Sequence, residues 1–265
     1  MGLSSASVLG GEADAIELAQ WFAGETGRHL AESERLTLAQ TLPNLFGYHL
    51  LQLGVHHPQD LCVGSRISHK IKVALSAAED RGATMRCCED ALPVASGSID
   101  VLLLPHVLEF ADDPRRVLRE AERVLIGEGH IVVAGFSPWS WFGLLAALKR
   151  WQRRAPWNAR MLTLARVKDW LQLLGFDIVE VARLGYRPLT KSPRVNQRLM
   201  FLETLGAFCW PPFANAYVLL AKKRVEGVTP LKASWRQRRR VLAGSVAEPS
   251  ARVPPVERRG QRGES

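Results

Sequence analysis

Three short stretches of the chain hold residue types that suit a ligand site: Gln52-Leu53-Gly54, Cys88-Glu89-Asp90 and Leu104-Pro105-His106. Glycine lets a ligand approach the backbone, amides and carboxylates hydrogen-bond to polar groups, and histidine exchanges a proton near neutral pH. These nine residues are therefore candidates for lining a small-molecule site. His106 is a candidate general base, and the catalytic residues are otherwise unassigned.

Each of these stretches also has a purely structural interpretation. Gly54 could end a strand in a tight turn, and Gln52 could be a buried amide that is hydrogen-bonded to backbone. The acidic pair after Cys88 could be solvated loop charges. His106 could line the site without exchanging a proton, and Glu109 is expected to organise the loop behind it.

Metal binding is not predicted for this chain. His56 and His57 are adjacent, and adjacent side chains on a loop rarely chelate one ion together; nearby Asp60 and Cys62 complete no common ligand spacing. The four cysteines include no CxxC pair, so neither a zinc site nor a disulfide framework is expected. Reduced thiols and a start that lacks the features of a signal peptide predict a cytoplasmic location.

Apolar runs of strand length alternate with helical segments along most of the chain, which predicts an α/β fold with a mostly parallel sheet and helices on both faces. The run IDVLLLP is apolar almost throughout, as expected for a central strand covered on both sides. The predicted strands are 48–54, 70–75, 84–88, 99–104, 130–136, 176–184 and 216–222.

Two helices have clear end signals in the sequence. A helical pattern runs from Asp14 to Leu42, where Pro43 ends it. A second helix follows Asp113, which can cap it, and has Pro114 at its first position; Gly127 can adopt the left-handed conformation after its end. Its predicted apolar face consists of Val117, Leu118, Ala121, Val124 and Leu125.

The segment EDALPVASGSIDVLLLPHVLEFADDPRRVLREAERVLIGEGHIVVAGF resembles the second half of class I S-adenosylmethionine-dependent methyltransferases, in particular their type 11-like group. The segments ARVKDWLQLLGFDIVEVARLGYRP and NAYVLLAKK are similar to the family's late helix, sixth strand and terminal antiparallel strand. LFGYHLLQLG and QRLMFLETLGAFCWP are similar to a smaller, poorly characterised bacterial subgroup. The resemblance implies a Rossmann-like sheet of seven strands with the last antiparallel, S-adenosylmethionine as cofactor, and methyl transfer to an unidentified acceptor.

The resemblance also implies which residues contact the cofactor, and the sequence departs from the family there. Gln52 replaces the family's acidic residue, and Gly54 is all that is left of its G-x-G-x-G motif. Leu75 or Ser76 stands where the family has a carboxylate for the ribose hydroxyls. A non-catalytic binding or scaffold protein with an eroded site therefore remains the alternative, whereas a dinucleotide oxidoreductase would need a G-x-G-x-x-G turn that the sequence lacks.

Charge and composition divide the chain into three parts. Residues 1–44 form a helical segment, and residues 45–224 form the methyltransferase-like domain, with a Trp-rich insert at about 137–160 and a helical insert at about 190–212. Residues 222–265 hold twelve Lys or Arg and four Asp or Glu, so their net charge is 12 − 4 = +8 of the total +9. The tail 225–265 is therefore predicted to be basic and largely disordered, and any nucleic-acid contact is expected only through it.

The Trp-rich insert bears on the choice of partner. Trp141, Leu144, Leu145, Leu148 and Trp151 recur at helical spacing, with basic residues beyond them. A lid packed on the domain is the preferred interpretation and goes with a small-molecule acceptor. Peripheral membrane contact through residues 139–154 is the alternative.

Overall fold

The computed structural model describes residues 14, 16–54, 57–75, 83–87, 91–149, 151, 155–186 and 213–225. Its seven strands are β1 (His49–Leu53), β2 (His69–Ala74), β3 (Met85–Arg86), β4 (Ile99–Pro105), β5 (Leu125–Phe136), β6 (Phe176–Leu184) and β7 (Ala216–Lys223). Its helices are α1 (residues 16–23), α2 (Glu25–Thr41), α3 (Pro114–Val124), α4 (Trp141–Lys149) and α5 (Leu164–Leu173), with a 3-10 turn at Leu42–Asn44.

The strands form one mixed sheet in the order β3-β2-β1-β4-β5-β7-β6. All neighbouring strands from β3 to β5 pair in parallel, and β7 runs antiparallel to both β5 and β6. The two-residue β3 is an edge strand, so six strands of five residues or more make up the body of the sheet. The predicted Rossmann-like fold is confirmed, and β5 begins at Leu125, earlier than the sequence predicted.

Helices cover both faces of the sheet, as predicted. On one face, Val117 and Leu118 of α3 and Val167 of α5 pack against the buried side chains of β4 and β5. On the other face, Leu38 of α2 and the adjoining Leu42 pack on the same two strands. Alternate residues of each strand supply the two cores, because successive side chains point to opposite faces.

The predicted helix 14–42 is not continuous. It bends at Gly24, so that α1 and α2 are separate helices. A Cβ added to Gly27 would lie 2.8 Å from the Cα of Phe22, which shows how closely the start of α2 approaches α1. The periodic pattern extends through both helices, and for that reason it did not reveal the bend.

Helix α3 begins as predicted and ends differently. The Asp113 side chain accepts a hydrogen bond from the backbone N–H of Arg115, and Pro114 is the first residue of the helix. The helix ends at Val124 and passes directly into β5, so the predicted role of Gly127 after the helix is wrong. A left-handed residue occurs instead within β5, at Glu128, with a φ of 67°.

Two polar side chains fix the segments that lead into the centre of the sheet. Asp100 of β4 accepts hydrogen bonds from the backbone N–H groups of Tyr48 and His49, so it holds the start of β1 against β4. Arg123 of α3 donates to the carbonyl oxygens of Leu92 and Val94 and thereby fixes the connection between β3 and β4. In the described part of the chain, no helix has the length and apolar character needed to cross a bilayer.

Candidate functional site

The strand order reverses between β1 and β4, the two neighbouring strands at the centre of the sheet. In open α/β sheets, ligands bind outside the carboxyl ends of the strands at this switch point. Gly54 follows the end of β1 and His106 follows the end of β4. The fold therefore brings two of the sequence-predicted stretches to the position where a ligand site is expected.

The end of β1 is an ordered turn. Gly54 has a φ of 83°, a conformation that favours glycine, and its N–H donates to the carbonyl oxygen of Val73 at 2.8 Å. The buried amide of Gln52 donates to the carbonyl oxygen of Gly54 at 2.8 Å and accepts from the Cys62 thiol at 3.2 Å. Both ends of the Gln52 side chain therefore have partners within the protein.

Burial raises the pKa of the Cys62 thiol to about 11, and the charge of Asp60 contributes in the same direction. The thiol consequently stays protonated near neutral pH and remains a hydrogen-bond donor to Gln52. Cys62 is a structural partner of the β1 turn.

The end of β4 holds a buried cluster of charged groups. His106 has a left-handed backbone conformation, with a φ of 52°. Its Nδ1 lies 3.1 Å from Oε1 of Glu109, and its Nε2 lies 2.9 Å from Oε1 of Glu34 on α2. Glu109 Oε1 also accepts a hydrogen bond from the backbone N–H of Phe136 at 2.7 Å. Glu109 thus organises the loop, as expected, and Glu34 ties α2 to the end of β4.

The two carboxylates control the protonation of His106. Burial by itself lowers the pKa of the imidazole, but the negative charges and hydrogen bonds of Glu34 and Glu109 more than offset burial and raise the pKa to about 10. His106 is therefore a cation near neutral pH, with each ring nitrogen facing a carboxylate. In this arrangement the imidazole has no lone pair with which to accept a proton.

This raised pKa makes the stability of the fold depend on pH. Because the pKa rises from 6.5 to about 10 on folding, the stabilisation is complete below pH 6.5 and is lost as the pH approaches 10. As the pH rises from 6.5 to about 10, we expect the free energy of unfolding to decrease, with this group contributing at most about 1.4 kcal/mol per pH unit. Urea denaturation at several pH values should show that the free energy of unfolding decreases less steeply with pH in Glu34→Gln, because this variant lacks one of the two negative charges. Equal slopes in the two proteins would contradict this assignment.

The N-terminal helices cover the end of β4. The ring of Phe22 in α1 lies 5.3 Å from that of His106 and 5.2 Å from that of His57, measured between centroids. Nε2 of His57 lies 3.7 Å from Oε2 of Glu34. The Phe136 ring packs on His106 from β5 at 4.1 Å. Aromatic rings therefore shield the charged cluster from water.

The structure places the predicted site residues in two groups. Gln52, Leu53 and Gly54 lie at the end of β1, next to Leu104, Pro105 and His106 at the end of β4, and all six are buried. Cys88, Glu89 and Asp90 lie outside the described residues, as do Ser76 and His56. Among the described residues, no group of three or more His, Cys, Asp and Glu side chains is arranged to hold a metal ion.

Sequence reasoning missed Glu34 and the pairing of His57 with it. A signal for Glu34 was present, because Leu30, Glu34 and Leu38 repeat at four-residue intervals on the buried face of α2. A carboxylate on an apolar helix face requires a buried partner. The sequence does not indicate which residue supplies that partner.

Comparisons with known proteins agree with this architecture. The family model described as "Methyltransferase domain" matches residues 47–133, which include the ends of both β1 and β4. The uncharacterized protein YafS of Escherichia coli K12 is 37% identical over 147 residues, which are 56% of this chain and 60% of that protein. The match therefore spans less than two thirds of the length of that relative.

Solved methyltransferase structures share the fold at low sequence identity. A SAM-dependent methyltransferase of Thermotoga maritima has a TM-score of 0.59 at 21% identity, covering 83% of this chain and 100% of that one. An S-adenosylmethionine-dependent methyltransferase of Mesorhizobium loti has a TM-score of 0.51 at 19% identity, covering 72% of this chain and 98% of that one. These matches show a shared fold. Together with the family-model match at residues 47–133, they support the resemblance predicted from the sequence.

Proposed function

We propose that this chain, a class I S-adenosylmethionine-dependent methyltransferase by fold and domain, transfers a methyl group from S-adenosylmethionine to an unidentified acceptor. The proposal is carried by one observation: the left-handed turn at Gly54 lies beside the end of β4 at the switch point of the sheet. A small molecule is the favoured acceptor. The cytoplasm is the proposed location, on the sequence evidence of four cysteines without a pairing pattern.

The charge of the site fits the cofactor. S-adenosylmethionine carries a positive sulfonium and a positive amino group. Near the end of β4, the buried Glu109 Oε2 lacks a hydrogen-bond partner among the described residues. The buried Glu34 Oε2 also makes no hydrogen bond there, and Nε2 of His57 lies 3.7 Å from it. Buried carboxylate oxygens without hydrogen bonds favour a cationic ligand, which would offset their desolvation.

The residues of the chain would bind and orient the reactants. The backbone at Gly54 would lie against the methionine part of the cofactor, because a glycine leaves room beside the turn. Cys88, Glu89 and Asp90 are proposed to contact the adenine, as the family resemblance implies. The cofactor supplies an activated methyl group for direct displacement by the acceptor. Holding two reactants in line accounts for much of the rate in reactions of this type.

His106 is proposed to position these groups. As an imidazolium between Glu34 and Glu109, it has no free lone pair for general-base catalysis. It holds both carboxylates at the end of β4, while Phe22 and Phe136 exclude water from this region. We assign any loss of the acceptor's proton to the acceptor itself or to solvent.

Calorimetric titration with S-adenosylmethionine and with S-adenosylhomocysteine tests the proposal. We expect weak binding of both ligands, because the family's acidic residue is replaced by Gln52 and the amide of Gln52 is already engaged. If neither ligand produces heat or a shift of the melting temperature at millimolar concentration, the enzyme proposal is refuted.

That outcome would favour a non-catalytic binding or scaffold protein as the second candidate. Two observations support this candidate: both ends of the Gln52 side chain have partners within the protein, and His106 is fully buried beneath Phe22. A scaffold would keep the buried charged cluster for stability alone. It would bind neither ligand under any condition in which the chain stays folded.

A further inference from the structure

Helix α4 presents an apolar face to solvent. Its residues Phe142, Gly143 and Ala146 are buried against the domain, where Phe142 packs on Phe136 with ring centroids 4.8 Å apart. Its other side carries Trp141, Leu144 and Leu148, whose relative exposures are 51%, 55% and 67%. We call these three residues the α4 face. Four of the five residues of the predicted apolar stripe are thus exposed, namely Trp141, Leu144, Leu148 and Trp151, and Leu145 is partly buried.

The composition of α4 is unusual for a helix with one side in water. Residues 141–148 read WFGLLAAL and include no side chain with a charge or a hydroxyl. Helices at the surface of soluble domains carry polar residues on the outward side. Trp139 and Trp151, which flank the helix, are also exposed. Exposed apolar surface of this extent marks a site that another surface covers.

The charge of the chain segment that contains α4 indicates what that surface is. No Asp or Glu occurs between Glu128 and Asp169, whereas this span holds seven Lys or Arg, at positions 149, 150, 153, 154, 160, 166 and 168. Tryptophan beside an apolar helix face, in a segment with basic residues and without acidic ones, is the composition of helices that lie in the headgroup layer of a bilayer. Basic residues add attraction to anionic lipid.

We propose that the α4 face docks this protein on the surface of an anionic lipid bilayer. The helix has nine residues and is too short to cross a membrane, so it would lie in the interfacial layer. The docking surface is close to the candidate site, since Phe142 contacts Phe136 and Phe136 contacts His106. This inference rests on the exposure and charge of α4 and does not require methyl transfer.

Sedimentation of the full chain with sucrose-loaded vesicles tests the docking. The test variant is Trp141→Ser/Leu144→Ser/Leu148→Ser, and the matched control is Leu173→Ser/Val179→Ser, whose residues are 78% and 55% exposed on α5 and β6. The wild type should bind phosphatidylglycerol-containing vesicles and not pure phosphatidylcholine. Partitioning should fall about tenfold or more in the test variant and stay unchanged in the control.

The basic tail requires a second readout, because it is expected to attract anionic vesicles by itself. Lipids brominated in the acyl chain quench only tryptophans that enter the bilayer. Both proteins in this measurement carry Trp235→Phe, which removes the tail's tryptophan. We expect the lipids to quench the protein with the intact α4 face and not the protein with the α4 substitutions. Equal partitioning of the α4 and control variants would overturn the proposal and assign all binding to the tail.

Two further outcomes would also overturn it. If the wild type does not sediment with the phosphatidylglycerol-containing vesicles at low salt, a protein partner becomes the better candidate for covering the α4 face. A melting temperature lowered in the α4 variant but not in the control, without vesicle binding, would show that another part of this chain covers the face.

Discussion

Replacing Glu34 with leucine should destabilise the protein by about 3–5 kcal/mol, the cost of breaking a buried ion pair by removing one partner. Glu34 is buried and lies 2.9 Å from Nε2 of His106 and 3.7 Å from Nε2 of His57. Without it, His106 would lose one of the two carboxylates that compensate its charge. Urea denaturation of the wild type and the variant at pH 7 measures the difference.

Glu32 provides a control on the same helix. Its carboxylate pairs with Arg35, and the Glu32 and Arg35 side chains are 41% and 30% exposed, so Glu32→Leu should cost much less stability than Glu34→Leu. Glu34→Gln should be less harmful than Glu34→Leu, because the amide can still accept a hydrogen bond from His106. Equal stability of Glu34→Leu and the wild type would show that the charged cluster does not hold α2 to the sheet.

The substitution Gly54→Val should weaken binding of S-adenosylmethionine at least about a hundredfold, or about 2.8 kcal/mol. The valine side chain would fill the space beside the turn that the ligand needs. A β-branched residue is also strained at a φ of 83°, so the variant is expected to be less stable than the wild type. Calorimetric titration at a temperature where the variant stays folded measures the loss.

Gly175 allows the strain to be separated from the loss of binding. It also has a φ of 83°, and a Cβ added there would meet nothing within 4 Å. It precedes β6 and lies at the amino end of that strand, away from the switch point. Gly175→Val should therefore carry similar backbone strain and keep full affinity. Equal affinity of the two variants for S-adenosylmethionine would show that Gly54 does not contact the ligand.

Most of the sheet could be predicted from the sequence, because local signals determine it. The apolar run of β4 and the cap at Asp113 each lie within a few consecutive residues, and both were predicted correctly. The bend at Gly24 and the left-handed Glu128 were missed. They depend on how neighbouring elements pack, which the periodicity of one segment does not contain.

The contacts within the candidate site could not be predicted from the sequence. The pairing of Glu34 with His106 joins residues 72 positions apart, and the Gln52–Cys62 hydrogen bond joins a strand to a later turn. Sequence spacing carries no information on such contacts. The direction of the α4 face was also undetermined, because an apolar stripe at helical spacing is the same whether it faces a core or a bilayer.

Photochemical labelling tests most directly whether the cofactor binds at the ends of β1 and β4. Ultraviolet irradiation with S-adenosylmethionine tritiated in its methyl group attaches the ligand to residues that it contacts, and peptide mapping then locates the label. We expect the label in peptides that contain Gly54 or Pro105, and we expect unlabelled S-adenosylhomocysteine to prevent the labelling. The assignment of the site would be contradicted if the label that S-adenosylhomocysteine prevents were found only in other peptides. It would also be contradicted if S-adenosylhomocysteine prevented no labelling at all.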